Sequence, residues 1–240
     1  MTLTRQLPLP FPHAQAFLDA DFLRFPSNHA AGAWLERGTD WPGGRLALFG
    51  EPGCGKTHLL HIWARRHGCA LLSGARLSGL PYLPEGRGIA LDDADEAGDE
   101  IALLHLLNAA AEAGMKLLIA GRQPPARWPV RLPDLASRLR AIIAVPIDPP
   151  EDGLLAALLA RLLSDRQLAV PEPVRTHLLA RLPRTHAALA EAARRLDLAG
   201  LALGGRVTRA VADRVIAEMA AGAGLETGLA SDPSGATSSK

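Results

Sequence analysis

The apolar run Leu46-Ala47-Leu48-Phe49 passes directly into Gly50-Glu51-Pro52-Gly53-Cys54-Gly55-Lys56-Thr57. A run of that kind reads as a buried strand, and the residues after it dictate what must follow. Glycines at 50, 53 and 55 let the backbone turn tightly, so that successive N–H groups point inward toward an anion. A helix starting near Lys56 adds the positive end of its dipole. Lys56 then supplies a point charge for β- and γ-phosphates, and the Thr57 hydroxyl a ligand for Mg²⁺. Strand, loop and helix together read as a nucleotide-phosphate site, with Gly50, Pro52, Gly53, Cys54, Gly55, Lys56, Thr57 and His58 as its cofactor-binding residues.

A second segment fits the same chemistry. Gly88-Ile89-Ala90-Leu91-Asp92-Asp93 is a short apolar strand ending in two carboxylates. At the carboxyl end of a strand neighbouring the loop, Asp92 is expected to hold the Mg²⁺ shell with Thr57. Asp93 is expected to orient or deprotonate an attacking water.

Composition narrows the remaining choices. A net charge of +1 argues against a broad electrostatic grip on nucleic acid. Aromatics make up only 4% of the chain, so base-stacking platforms are not expected. The two cysteines, Cys54 and Cys69, have no metal-ligand neighbours and fit a reducing compartment. The leader Met1-Thr2-Leu3-Thr4-Arg5-Gln6 runs into prolines instead of an apolar signal core. Gly153 to Leu163, the longest leucine-rich stretch, is too short to span a bilayer and holds Arg161. The expectation is a cytoplasmic chain without a membrane segment.

Along the chain, residues 1–16 are proline-rich and read as extended. From 17 to 149 strands alternate with helices. Strands fall at 46–49, 69–72, 88–91, 117–120 and 142–147. Helices fall at Ser27–Gly38, Lys56–His67 (stopped by Gly68), Asp99–Ala113 (stopped by Gly114) and Leu132–Arg140. Such alternation implies a parallel sheet covered on both faces, with ligands at the carboxyl ends of the strands. After Pro149-Pro150 the pattern is all helix: Glu151–Arg166 (with Leu155, Leu158, Leu159 and Leu162 on one face), Pro173–Leu182, Arg184–Leu198 and Val207–Ala221. This is a small helical domain over 150–221. Residues 222–240, rich in Gly, Ser and Thr, are expected to be a disordered tail.

These residues resemble the AAA+ ATPases, within them the DnaA-related group, and within that group the short regulatory Hda branch. Phe25-Pro26-Ser27-Asn28 with Ala30-Ala31 resembles the segment that touches the nucleotide base. Gly55-Lys56-Thr57-His58-Leu59-Leu60-His61 is similar to that group's loop extension. Leu132-Pro133-Asp134-Leu135-Ala136-Ser137-Arg138-Leu139 resembles the stretch that carries an arginine finger, at Arg138. Gln6-Leu7-Pro8-Leu9-Pro10-Phe11 resembles the peptide by which the Hda branch binds the DNA polymerase sliding clamp. The resemblance spans about residues 5 to 221. It implies an α/β fold, an AAA+ P-loop three-layer αβα domain with a parallel sheet, followed by a helical lid. It also implies ADP or ATP with Mg²⁺ as cofactor, Asn28 and Arg184 as further nucleotide contacts, and Gln6, Leu7, Leu9 and Phe11 as clamp-binding residues. The implied partners are DnaA and the sliding clamp, with self-association open. The implied activity is regulation of replication initiation: Arg138, acting in trans, stimulates hydrolysis of DnaA-bound ATP. A DNA-reading helix-turn-helix domain of the DnaA type does not follow the lid in this sequence, so sequence-specific DNA binding is not expected.

Two positions depart from the group's pattern. After strand 117–120, where a polar sensor residue is usual, the chain reads Gly121-Arg122-Gln123. Either Arg122 or Gln123 serves, or the function is lost. In the lid the sensor arginine aligns with Ala187, one turn after Arg184. Either Arg184 reaches in or the lid does not sense ATP. Weak or absent intrinsic ATPase is therefore expected, with nucleotide as a structural cofactor. The complete Lys56, Thr57, Asp92 and Asp93 set leaves open a helicase-loader-like ATPase of the IstB/DnaC type on single-stranded DNA. A small-molecule kinase lacks an acceptor-binding constellation in the lid. His58 and His61, without a third ligand, are read as packing or helix-surface residues and not as metal ligands, and Arg194, Arg195, Arg206, Arg209 and Arg214 as a basic lid face.

Overall fold

The structure is a computed structural model and describes residues 22–37, 40–79, 86–202 and 207–228. The clamp-binding candidates Gln6, Leu7, Leu9 and Phe11 lie outside the described residues. Strands β1 (Arg45–Phe49), β2 (Ala70–Ser73), β3 (Gly88–Asp92), β4 (Lys116–Gly121) and β5 (Ile143–Pro146) form one parallel sheet in the order β2-β3-β4-β1-β5. Helices α1 (His29–Glu36), α2 (Lys56–His67), α3 (Glu100–Glu112) and α4 (Pro133–Arg140) accompany it. The order corrects one expectation. β3 is not the neighbour of β1, because β4 is inserted between them, with Ala47 opposite Ile119 and Leu117 opposite Ile89. The pattern of a buried parallel strand fixes its faces but not its partner, which depends on the crossovers.

Both faces are covered. On one, Ile89, Leu91, Leu117 and Ile119 pack against Leu103, Leu106 and Leu107 of α3 and Leu135 and Leu139 of α4. On the other, Leu46, Leu48 and Leu118 meet Leu59, Leu60 and Trp63 of α2 and Ala31 of α1. Local signals set the helix limits. Asp99 caps α3 by accepting from the Ala102 N–H at 2.9 Å, and Gly114 adopts φ +63 just after it. Gly68 closes α2 at φ +62, after Arg65, Arg66 and His67, whose type suits a helix carboxyl end.

The remaining helices, α5 (Asp152–Ser164), α6 (Glu172–Leu179), α7 (His186–Ala202) and α8 (Arg209–Gly228), form the lid. Its core joins Leu155, Leu159 and Leu163 of α5 to Leu178, Leu189, Leu196 and Val211. Leu163 is buried while Leu158 and Leu162 are only partly so, which shifts the inner face of α5 from the one the sequence suggested. α8 runs on to Gly228, beyond the Gly222 stop expected from composition. Arg194 and Arg195 both bond Glu191, so the anticipated basic face of the lid is in part neutralised. Among the described residues no helix is long and apolar enough to cross a membrane.

Candidate nucleotide site

The site is built where β1 ends. Gly53 has φ +83 and Gly55, which precedes α2, φ +107, values a side chain resists. Gly53 is also required for space: a Cβ there would lie 2.4 Å from the Thr185 methyl of the lid. The Lys56 side chain is buried and donates to the Gly50 carbonyl at 2.7 Å and the Glu51 carbonyl at 3.0 Å, so its charge is held inside the loop. Cys54 is buried beside it. Burial pushes its thiol pKa up, and Lys56 opposes that shift. Thr57 and Pro52 are exposed. The first turn of α2 leaves its N–H groups without intrahelical partners, as an anion site needs.

Asp92 ends β3, two strands away from β1 and so about 10 Å to the side at the usual strand spacing. Asp93 follows in the left-handed region at φ +46, an uncommon conformation that Asp tolerates better than most residues. Burial, and then the charges of Asp92, Glu96 and Asp95, raise its carboxyl pKa, which favours a group that takes up a proton. Among the described residues no cluster of three or more His, Cys, Asp or Glu side chains is arranged to hold a metal ion by itself.

Beside the loop is a cleft of about 60 Å³ lined by Asn28, Gly53, Cys54, His58, Leu155 and His186, among others. Asn28 borders it as expected, but its amide is already committed: Nδ2 donates to the Leu23 carbonyl at 2.8 Å and Oδ1 accepts from the Phe25 N–H at 3.0 Å. The His58 ring stacks on that of His186, centroids 5.1 Å apart.

The two sensor positions are both tied down elsewhere. A Cβ on Gly121 would fall 2.9 Å from the Trp128 ring and 3.1 Å from the Asp95 carboxyl, so no polar side chain fits there. Arg122 next to it donates its N–H to Asp95 at 2.7 Å and its guanidinium to Glu96 at 2.6 Å. Gln123 accepts from the Trp128 indole at 2.8 Å through its backbone carbonyl, a bond that does not involve its side chain. Arg184 has partners at the start of α5, one of which, Pro150, also lines the cleft. Its guanidinium donates to Asp152 at 2.5 Å and to the Pro150 carbonyl at 2.8 Å. Sequence reasoning missed Thr185 and His186, the lid residues that do touch the loop and cleft. The available signal was Thr185 as a cap before an alanine-rich helix, and it does accept from the Ala188 N–H at 3.1 Å.

Arg138 is apart from all of these. It lies in the last turn of α4, just before β5 enters the sheet, and Leu46 of β1 pairs with Ile143 of β5. It is therefore at the amino end of the strands, with the phosphate loop at the other. Four steps along β1 at about 3.3 Å put those ends about 13 Å apart, before the loop itself is counted. Asp134, one turn earlier, bonds its Nε at 3.1 Å. Arg45, which opens β1, has its pKa lowered by burial first and then by the Arg138 charge.

No protein-family model matches the chain. Solved structures do. Domain III of the replication initiation protein DnaA from Thermotoga maritima aligns over 87% of this chain and 98% of its own length, with a TM-score of 0.71 at 17% identity. AMPPCP-bound DnaA from Aquifex aeolicus gives 0.59 at 16% identity, over 75% of this chain and 64% of that one. RuvB from Thermotoga maritima gives 0.60 at 20% identity, over 78% of this chain and 66% of that one. The fold is AAA+. At these identities the likeness is one of fold: a P-loop αβα domain with a parallel five-stranded sheet and a helical lid.

Proposed function

We propose that this chain is a nucleotide-bound, Hda-like regulator of replication initiation that stimulates hydrolysis of ATP held by DnaA. The observation that supports the reading is the separation of Arg138 from the chain's own phosphate loop: at the far end of the sheet, it is out of reach of that loop and open to a site on another molecule. Placed on the γ-phosphate of a neighbour, a guanidinium fork stabilises the charge of the transition state, an effect of order 10³–10⁵ in rate in well-studied hydrolases. Asp134 holds the inner nitrogen of Arg138 and so aims the fork.

The chain's own site plays a different part. Lys56, the loop N–H groups, Thr57 and Asp92 suit ADP or ATP with Mg²⁺, whose chemistry is to neutralise phosphate charge. Neither sensor position offers a free arginine, since Arg122 and Arg184 are both engaged with acidic partners. Such a site binds without efficient turnover. DnaA carrying ATP is the partner the fold suggests. The segment Gln6 to Phe11 supplies clamp binding: Gln6 would hydrogen-bond in a small pocket, while Leu7, Leu9 and Phe11 fill an apolar groove. A clamp loaded on DNA would then concentrate the regulator where replication is under way.

A helicase-loader-like ATPase is the second reading, favoured by one observation: Asp93 is present with a carboxyl pKa raised by burial, as an active hydrolase would need. The deciding experiment measures hydrolysis of DnaA-bound ATP with and without DNA-loaded clamp. The regulator gives clamp-dependent hydrolysis that Gln6→Ala/Leu9→Ala abolishes. Brisk ATP turnover by this chain alone, stimulated by single-stranded DNA, would instead establish the loader.

A further inference from the structure

A parallel sheet brings the amino ends of all its strands together, and here that end is lined with cations. The register sets Ala70 of β2 opposite Ile89, Gly88 of β3 opposite Lys116, and Arg45 of β1 opposite Leu117 of β4. Lys116 and Arg45 therefore open their strands within one residue of the same level. Arg87 immediately precedes β3, and its carbonyl accepts from the Lys116 N–H at 3.1 Å. β2 is entered from the last turn of α2, which carries Arg65. Along the order β2-β3-β4-β1, each strand thus begins beside one cation: Arg65, Arg87, Lys116 and Arg45.

These cations differ from many arginines elsewhere in the molecule. Arg24, Arg122, Arg161, Arg175, Arg184 and Arg194 each meet a carboxylate. Arg45 instead donates to the Leu107 carbonyl at 3.5 Å, and the Lys116 ammonium lies 5.8 Å from the Trp41 ring centroid. Arg65 and Arg87 are exposed and have no carboxylate partner among the described residues. A cation in the last turn of a helix complements the helix dipole, which accounts for Arg65. Arg87, Lys116 and Arg45 stand at strand starts, where that account does not apply. The net charge of +1 hides this local concentration.

We propose that this end of the sheet grips the phosphate backbone of duplex DNA without regard to sequence. Three strand spacings of about 4.8 Å make a row of about 14 Å, the length of about four nucleotide steps of about 3.4 Å along one strand of a duplex. Contacts to phosphate position a duplex and read no bases. The aromatic rings at this end are not offered for stacking. Trp41 and Trp63 are buried against each other, centroids 5.3 Å apart, and Arg37 lies 5.3 Å over the Trp34 ring. Single strands are held on exposed stacking rings, so a cation row without them suits the outside of a duplex. The row stops before β5, whose Arg138 serves a partner's nucleotide in the function proposed above. The duplex contact stands on the placement of charge and does not depend on that reading.

The test is fluorescence anisotropy of a labelled DNA duplex titrated with the full chain over a series of salt concentrations. Binding is expected at low salt, with unrelated sequences within about twofold of one another. The logarithm of affinity should fall linearly with the logarithm of salt, with a slope of about −3 to −4 for four phosphate contacts. Arg65→Ala/Arg87→Ala, at two exposed positions, should weaken binding at least about tenfold and make the slope shallower by about 2. Arg209→Ala/Arg214→Ala, which removes the same charge from the lid, should stay within about twofold of wild type. Equal losses in the two double variants would mean that net charge alone binds DNA and would overturn the site. A wild-type chain that binds no duplex at low salt overturns it outright. A single strand of the same length held more tightly than the duplex overturns the choice of a duplex. Polyglutamate that competes as well as unlabelled duplex at equal charge assigns the cations to an acidic protein surface and overturns the proposal.

Discussion

The two ends of the β-sheet carry opposite kinds of chemistry. At the carboxyl end the groups converge: the Lys56 ammonium inside its loop, two carboxylates after β3, a cleft, and a lid resting on Gly53. At the amino end the cations include two arginines: Arg138, half-exposed and steadied by one carboxylate a helical turn away, and Arg45, which opens β1 and feels its charge. The first arrangement is complete in itself and faces inward. In the proposed function the second meets a negative charge that another molecule brings. A hydrolase acting alone would have arginines at its own phosphates, but Arg122 and Arg184, the two nearest by position, are bonded to Glu96 and Asp152. Under the function proposed above the contrast is a division of labour, with one end for holding nucleotide and the other for acting on a partner's.

That division can be broken or sharpened by variants. The largest effect is expected for Arg138→Ala, which should lower stimulated hydrolysis of DnaA-bound ATP by about 10³ while leaving this chain's own nucleotide affinity within twofold, as read by single-turnover assay and calorimetry. Fully buried leucines come next. Leu106→Ala under the sheet and Leu159→Ala in the lid should each cost about 2–5 kcal/mol, measured by urea unfolding, and only Leu159→Ala should loosen the lid without disturbing the sheet. Lys56→Ala removes charge-assisted bonds and should weaken nucleotide binding about 10- to 150-fold; affinity unchanged in this variant would contradict the placement of the site.

The smallest effect concerns Glu191, whose carboxyl pKa is pulled from 4.5 to about 2, first by Arg194 and then by Arg195. A depressed carboxylate stabilises the fold above its unfolded pKa, so this contribution is complete above about pH 4.5 and is lost as pH falls toward about 2. The group is largely exposed and screened, so Glu191→Gln should cost less than about 1 kcal/mol at neutral pH and flatten the acid limb of a thermal-melt series.

Much of this was legible along the chain because the signals are local. α2 runs from Lys56 to His67 because its ends are set by Gly55 and Gly68, and α3 sits between Asp99 and Gly114 for the same reason. The phosphate loop was readable from eight consecutive residues. The strand order was not, since Leu117 pairs equally well with any apolar neighbour and only the crossovers decide. Asn28 shows a subtler point: it borders the cleft, and its amide also bonds Leu23 and Phe25, close by in sequence. Arg184 and Thr185 show a limit at long range. Which of the two touches the loop depends on Asp152 and Gly53, distant in sequence, and the less conspicuous residue is the one that does.

The most direct test of the divided sheet is to load this chain with AMPPCP and DnaA with labelled ATP, mix them with DNA-loaded clamp, and follow labelled ADP on DnaA. The account predicts full conversion despite the non-hydrolysable analogue in the chain's own site, and loss of conversion with Arg138→Ala. Conversion that persists in Arg138→Ala, or that AMPPCP loading blocks, would contradict it.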